Sequence, residues 1–286
     1  MNFDSCVQSC WNSSDCVMVY ESSKTTCQLF TIPNITTIQK TTSGSRVAFR
    51  IKTSTAICPS AENSPLLSGK FVASDVERGD SSTTFNQYIS YTVKLTNNTF
   101  KIVSTVPVNC FGSYTFVRRS KDIWCIGLYI WTTCVNQTQA IGLCQLNGAR
   151  LSGIENGDEF QFVQKSSLAY LFSRIENTTY NKLGFWVDGT RKSTCQYPKL
   201  KSAICNGTNE FTFNDDKMSS PGGYQFLSGQ PDGINNKSAN SNCLYHLSQK
   251  NGETGIDDTP CSMRKSAGMC YAGVMCGMEP FVISVA

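Results

Sequence analysis

The chain has 286 residues, enough for two domains, with 15 cysteines, 16% charged residues and one histidine. A net charge of +4 spread along the chain excludes a nucleic-acid footprint, and 40% hydrophobic with 11% aromatic residues excludes disorder. A catalytic triad, a His-rich zinc site or a His acid–base relay is hard to assemble around His246 alone, so no enzyme is expected.

Residues 1–54 form a cysteine-dense block. Cys6 and Cys10 stand four apart and so share one face of a helix. Cys16–Tyr20 and Val47–Ile51 read as short buried strands. One helix stapled to a small sheet has a thin core and depends on its bridges. Residues 55–109 change character. Ser, Thr, Asn, Gly and Pro dominate, and Cys58 stands alone. Tyr88–Leu95 and Phe100–Val106 have strand patterns, but the stretch as a whole reads as a linker with limited structure.

From Cys110 onward, cysteines and aromatics return. Asn136-Gln137-Thr138-Gln139 predicts a capped helix carrying Ala140, Leu143 and Cys144, ended by Asn147-Gly148. Gly157-Asp158-Glu159 opens a second helix with Phe160, Val163 and Leu168 on one side. Phe185–Gly189 and Phe211–Phe213 read as strands, and His246 as a half-buried strand residue. Two helices followed by strands predict an α+β domain over 110–286.

Cysteine richness points to an oxidising compartment. Asn12, Asn34, Asn97, Asn136, Asn177, Asn206 and Asn236 each sit in an Asn-x-Ser/Thr sequon, the acceptor for N-glycosylation. Met1 to Cys6 has neither a basic nor an apolar stretch of the signal-peptide kind. No apolar run is long enough to span a membrane. The expectation is an extracellular chain with an incomplete start, set against a cytosolic protein with free thiols.

An ordered series of residues runs through the second domain. It comprises Cys110, Trp124-Cys125, Ala140 to Cys144, Gly148-Ala149-Arg150-Leu151 and Phe185-Trp186-Val187-Asp188-Gly189. Gln230-Pro231-Asp232 follows, then Cys243, Ile256-Asp257-Asp258, Cys261, Cys270 and Cys276. In order and spacing this resembles a C-type lectin-like domain. In the first block, Asp4-Ser5-Cys6, Cys10, Asp15-Cys16, Cys27-Gln28-Leu29-Phe30 and Val47-Ala48-Phe49 resemble a PAN-like (CW-type) module related to the apple fold. The pair is the arrangement of secreted nematode lectins. Such proteins are linked to surface recognition and innate immunity.

The resemblance implies a sugar site built on calcium. The ion takes about six to eight oxygens, some from side chains and two from adjacent sugar hydroxyls. By position the ligands would be Gln230, Asp232, Asp257 and Asp258, with Pro231 cis between the first two. The fifth position falls on Ser241, where the family has Glu, which leaves Ser241, Asn240, Asn242 or water to complete the shell. The Gln-Pro-Asp order resembles the galactose-type site, but no aromatic ring follows it. The implied function is a secreted recognition protein binding a glycan or glycoprotein through calcium. The alternative is a lectin-fold protein-interaction module with a degenerate sugar site. The PAN-like module would add a protein partner, with no nucleic acid and no membrane span.

The resemblance also implies the bridges Cys110–Cys125, Cys144–Cys276 and Cys243–Cys261. Cys195–Cys205 closes a short hairpin, and Cys10–Cys16 nests with Cys6–Cys27. Cys134 is left for Cys270, with exchange of Cys270 and Cys276 an open alternative. Cys58 remains as the odd thiol.

Overall fold

The computed structural model describes residues 2–13, 16–23, 26–31, 35–39, 44–51, 72–79, 86–105, 108–173, 180–198, 202–235, 239–266 and 268–282. The chain divides into two compact units, 1–112 with 281–286, and 113–280.

The first unit starts with α1 (Phe3–Asn12), whose N-cap Asn2 accepts the Ser5 backbone N–H at 2.8 Å. One face of this helix buries Cys6 and Cys10. β1 (Cys16–Ser23) lies between β2 (Thr26–Thr31) and β4 (Arg46–Phe49) in a three-stranded antiparallel sheet. The second sheet holds β3 (Thr37–Gln39), β5 (Val72–Gly79), β6 (Asn86–Thr96), β7 (Thr99–Ser104), β8 (Val108–Asn109) and β20 (Phe281–Val282). β6 and β7 form a hairpin turned by Asn97 and Asn98, with φ of 47° and 60°. Asn tolerates this left-handed backbone better than most residues, which suits a two-residue turn. Val17 and Met18 pack with Ile89, Tyr91, Val93, Phe100 and Ile102 in one core.

This corrects the expected linker over 55–109. Its described residues carry four strands, and the alternating residues of β6 and β7 complete the core that the cysteine block alone leaves thin. Residues 281–282 pair with β8 and so belong to this unit, not to the second domain as expected. Cys58 lies outside the described residues.

In the second unit, β9 (Thr115–Arg118) and β10 (Ile123–Ile130) form a hairpin. α2 (Gln137–Leu146) follows, with Asn136 and Gln139 forming a reciprocal capping box. Gly148, at φ 68°, turns the chain into β11 (Arg150–Leu151). α3 (Gly157–Ser173) begins where the Asn156 side chain accepts the N–H groups of Asp158 and Glu159, both at 3.1 Å. Its buried face is Phe160, Val163, Ser167 and Leu171. Leu168, expected on that face, is only half-buried. At about 100° per residue it turns roughly 80° away from Phe160, whereas Leu171 returns to within about 20°.

The remaining strands are β12 (Lys182–Arg191), β13 (Phe211–Thr212), β14 (Ile234–Asn235), β15 (Ala239–Asn240), β16 (Cys243–Gln249), β17 (Thr254–Thr259), β18 (Lys265–Ser266) and β19 (Met269–Met278). The main sheet runs β17-β16-β12-β19-β10-β9. Only the β12–β19 pairing in that path is parallel. Trp124, Ile126, Val163, Val187, Leu244, Ile256 and Met275 fill its core.

The implied bridges form. Cys6–Cys27, Cys10–Cys16, Cys134–Cys270, Cys144–Cys276, Cys195–Cys205 and Cys243–Cys261 have Cα–Cα distances of 5.1 to 5.9 Å. Cys110 and Cys125 are oxidised as well. The open exchange of Cys270 and Cys276 is settled by register. Cys276 stands opposite Leu151, just after the α2 corner, and Cys270 beside Leu183.

Candidate functional site

The site lies on the loop between β13 and β16. Gln230–Pro231 is a cis peptide, flanked by Gly229 at φ 82° and Gly233 at φ 72°. The loop is tied to β17 along its length. Ile256 N donates to Gln225 O at 2.8 Å, and Leu227 N to Ile256 O at 3.0 Å. Asp258 adds a two-point tie. Its Oδ1 accepts Asp232 N at 2.9 Å and its Oδ2 accepts Gly233 N at 3.0 Å. Asp232 N also donates to Gln230 Oε1 at 2.8 Å. Gln230, Asp232 and Asp258 are therefore brought together, as the sequence led one to expect.

Asp257 is not part of that group. Successive side chains of a strand point to opposite faces, and Asp257 points away from Asp258. Its Oδ2 accepts the Tyr245 hydroxyl at 2.8 Å and its Oδ1 accepts Asp258 N at 2.7 Å. Burial pushes the Asp257 carboxyl up, while the Tyr245 hydroxyl opposes the shift. Ser241 is fully buried, and its Oγ has no partner among the described residues.

The centre of the site is a residue the sequence did not single out. Arg191, at the end of β12, is fully buried. Its Nη2 pairs with Asp258 Oδ2 at 3.0 Å and its Nη1 with Glu210. Its Nε donates to Ser241 O at 2.9 Å, and its backbone N to Asn242 O at 2.7 Å. The guanidinium lies 4.7 Å from the Phe211 ring centroid. Burial pushes Arg191 down, against the carboxylates of Asp258 and Asp232. An arginine starts so high that it stays charged. Burial likewise pushes Asp258 up to about 6, with Arg191 pulling the other way.

This arrangement does not fit a calcium ion. A hard dication needs bare, converging oxygens. Here both Asp258 oxygens are engaged, Asp257 faces Tyr245, and a guanidinium already supplies positive charge at Asp258. No group of three or more His, Cys, Asp or Glu side chains among the described residues is arranged to hold a metal. The ligand set Gln230, Asp232, Asp257 and Asp258, with Ser241 or Asn242, is corrected accordingly. Arg191 and Glu210 escaped the sequence reading because a buried ion pair between distant elements leaves no local pattern.

Beside the corner is a cleft of about 410 Å³ edged by Ser202, Asn206, Glu210, Gly229, Gln230 and Pro231. The bridge Cys195–Cys205 holds one wall. A second buried network supports the loop from below. Arg119 pairs with Glu159 and Asp215, each at 2.8 Å. Asp188 accepts the N–H groups of Asn214 and Asp215 at 2.5 and 2.8 Å. With every polar atom spoken for, such a network gives the loop a single geometry. His246 takes no part in the site; it is completely buried in β16, not half-buried, and packs edge-on against Phe160.

Residues 1–53 match the family model of a PAN-like domain. Solved structures of similar fold include the mouse scavenger receptor C-type lectin carbohydrate-recognition domain, at 17% identity over 59% of this chain and 98% of that one, TM-score 0.36. A calcium-independent type II antifreeze protein matches at 13% identity over 61% and 97%, TM-score 0.37. The cow CD23 carbohydrate-recognition domain, solved in the presence of a GlcNAc2Man3 oligosaccharide, matches at 15% identity over 59% and 95%, TM-score 0.36. No curated protein matches the chain. Residues 116–279, more than half of the sequence, match the model described as C-type lectin domain-containing protein 141/158, and the chain belongs to that C-type lectin family.

Proposed function

We propose that the protein is an extracellular recognition protein whose lectin-like domain holds a glycan or glycoprotein in the cleft beside Gln230-Pro231-Asp232. The observation that carries this reading is the polar cleft itself, set against a corner that Asp258 holds in one shape. Sugar hydroxyls both donate and accept, and the Gln230 amide and Ser202 hydroxyl offer both functions at its edge. The oxidised cysteines suit an extracellular setting, and no described helix is long and apolar enough to cross a membrane. The recognition role has no catalytic step.

Glycosylation belongs to the same proposal. Asn12, Asn97 and Asn206 are exposed and Asn136 is half-buried, while Asn34, Asn177 and Asn236 lie outside the described residues. Asn206 edges the cleft, so a glycan there would cover part of it. Site mapping by mass spectrometry on secreted protein therefore comes first. Binding to a glycan array, with and without chelator, then tests the function, with Gln230→Ala as the control. Retention of a glycan class that the variant loses supports the reading. Failure to retain any glycan, with Asn206 unmodified, moves the domain to the protein-interaction alternative, for which the PAN-like module would be a second contact.

A further inference from the structure

We propose that Arg191 does from within the chain what a bound ion does from outside in the domain this one resembles. It holds the Pro231 loop against β17, so the recognition face is set without calcium. One guanidinium reaches three separated stretches: Glu210 before β13, Ser241 before β16, and Asp258 on β17. Asp258 passes the restraint on to Asp232 and Gly233. The charge is matched as well as the geometry. Glu210 and Asp258 pair directly with the arginine, and the Asp232 carboxylate adds its field. A free cation would have to displace a side chain that is fully buried, stacked on Phe211, hydrogen-bonded through Nε to the Ser241 carbonyl and ion-paired with Glu210 and Asp258.

An internal cation differs from a bound one in a measurable way. It cannot be removed by a chelator and is not diluted by low calcium. Deleting it exposes the Glu210, Asp258 and Asp232 carboxylates and the Ser241 carbonyl to one another with no counter-charge. Such oxygens suit calcium. The proposal makes no demand on the identity of the ligand, so it stands or falls separately from glycan binding.

The test is thermal melting of the full chain in chelator and in calcium at about 5 mM, above the weak range of extracellular calcium modules. The wild-type midpoint is expected to agree within about 1 °C, whereas a calcium-holding site would raise it by about 2 °C or more. Arg191→Met keeps the stem and removes the charge. It is expected to melt lower in chelator and to recover at least half of the loss in calcium. Arg191→Lys keeps the charge and is expected to stay insensitive to calcium. A wild-type rise of about 2 °C or more in calcium overturns the proposal. So does Arg191→Met melting like wild type, or failing to recover in calcium. If Arg191→Met does not fold, the wild-type and Arg191→Lys melts decide, and a calcium response in either overturns it.

Discussion

His246 offers a prediction whose size follows from the structure. It sits in β16 between β12 and β17, and neither ring nitrogen has a hydrogen-bond partner among the described residues. Burial alone lowers its pKa to about 3, from an ordinary 6.5. The folded protein therefore keeps the ring neutral, while the unfolded chain takes up a proton below about pH 6.5. The unfolded state binds more protons between pH 3 and 6.5, so stability is lost as the pH falls through that window. A shift of about 3.5 units corresponds to roughly 5 kcal/mol.

Asp258 acts in the opposite sense. Its folded value is raised to about 6, so protonation there favours the folded state as the pH falls from about 6 to 4. A wild-type pH curve mixes the two, and a difference curve separates them because Asp258 is common to both proteins. His246→Leu is close in volume and removes only unpartnered nitrogens. It is expected to be more stable than wild type by about 1–3 kcal/mol at pH 7, with the gap widening toward pH 4. Urea unfolding midpoints at pH 4 to 7, with the bridges intact, measure this. Parallel curves for the two proteins, or a variant less stable at pH 7, would refute the reasoning.

Three further outcomes follow from the same structure. Opening Cys144–Cys276, which spans 132 residues, by paired Ser substitution is expected to cost about 5 kcal/mol, against about 3 kcal/mol for Cys195–Cys205, which spans 10. Equal urea midpoints for the two double variants would rule out loop entropy as the reason. Asn136→Asp keeps the oxygen that caps α2 while abolishing the sequon, so it should lose any attached glycan without losing stability, whereas Asn136→Ala should lose about 1 kcal/mol. Glycosidase-sensitive mass and melting temperature report the two effects separately. Gly273→Ala would drive its methyl into the Tyr129 carbonyl oxygen, a backbone atom that cannot step aside. A loss of about 1–3 kcal/mol in chemical denaturation is expected, and a neutral result would mean that β10 and β19 can part at that point.

What could be read from residues alone was whatever a short stretch of chain carries. The capping box at Asn136 and Gln139, the stop at Gly148 and the buried strand at Phe185–Gly189 are local, and each formed where its own pattern put it. The spaced cysteines and the Trp186, Pro231 and Asp258 positions carried the family likeness, and with it the bridges. The strands of 72–109 were harder to read. A sheet strand rich in Ser and Thr looks like a linker until its partners are known, because its stability comes from pairing rather than from composition.

The candidate site divides in the same way. Gln230, Asp232 and Asp258 were found from their order in the chain, and folding brings them together as that order implied. Only the tertiary structure shows what lies between them. The residue at the centre is Arg191, drawn in from the end of β12, with Glu210 as its second partner. An ion pair is decided by distance and burial, and neither is written in the spacing of an arginine from an aspartate 67 positions later. The sequence by itself determined the family, the bridges apart from the choice between Cys270 and Cys276, and the corner at Pro231. The fold decided which cation that corner contains.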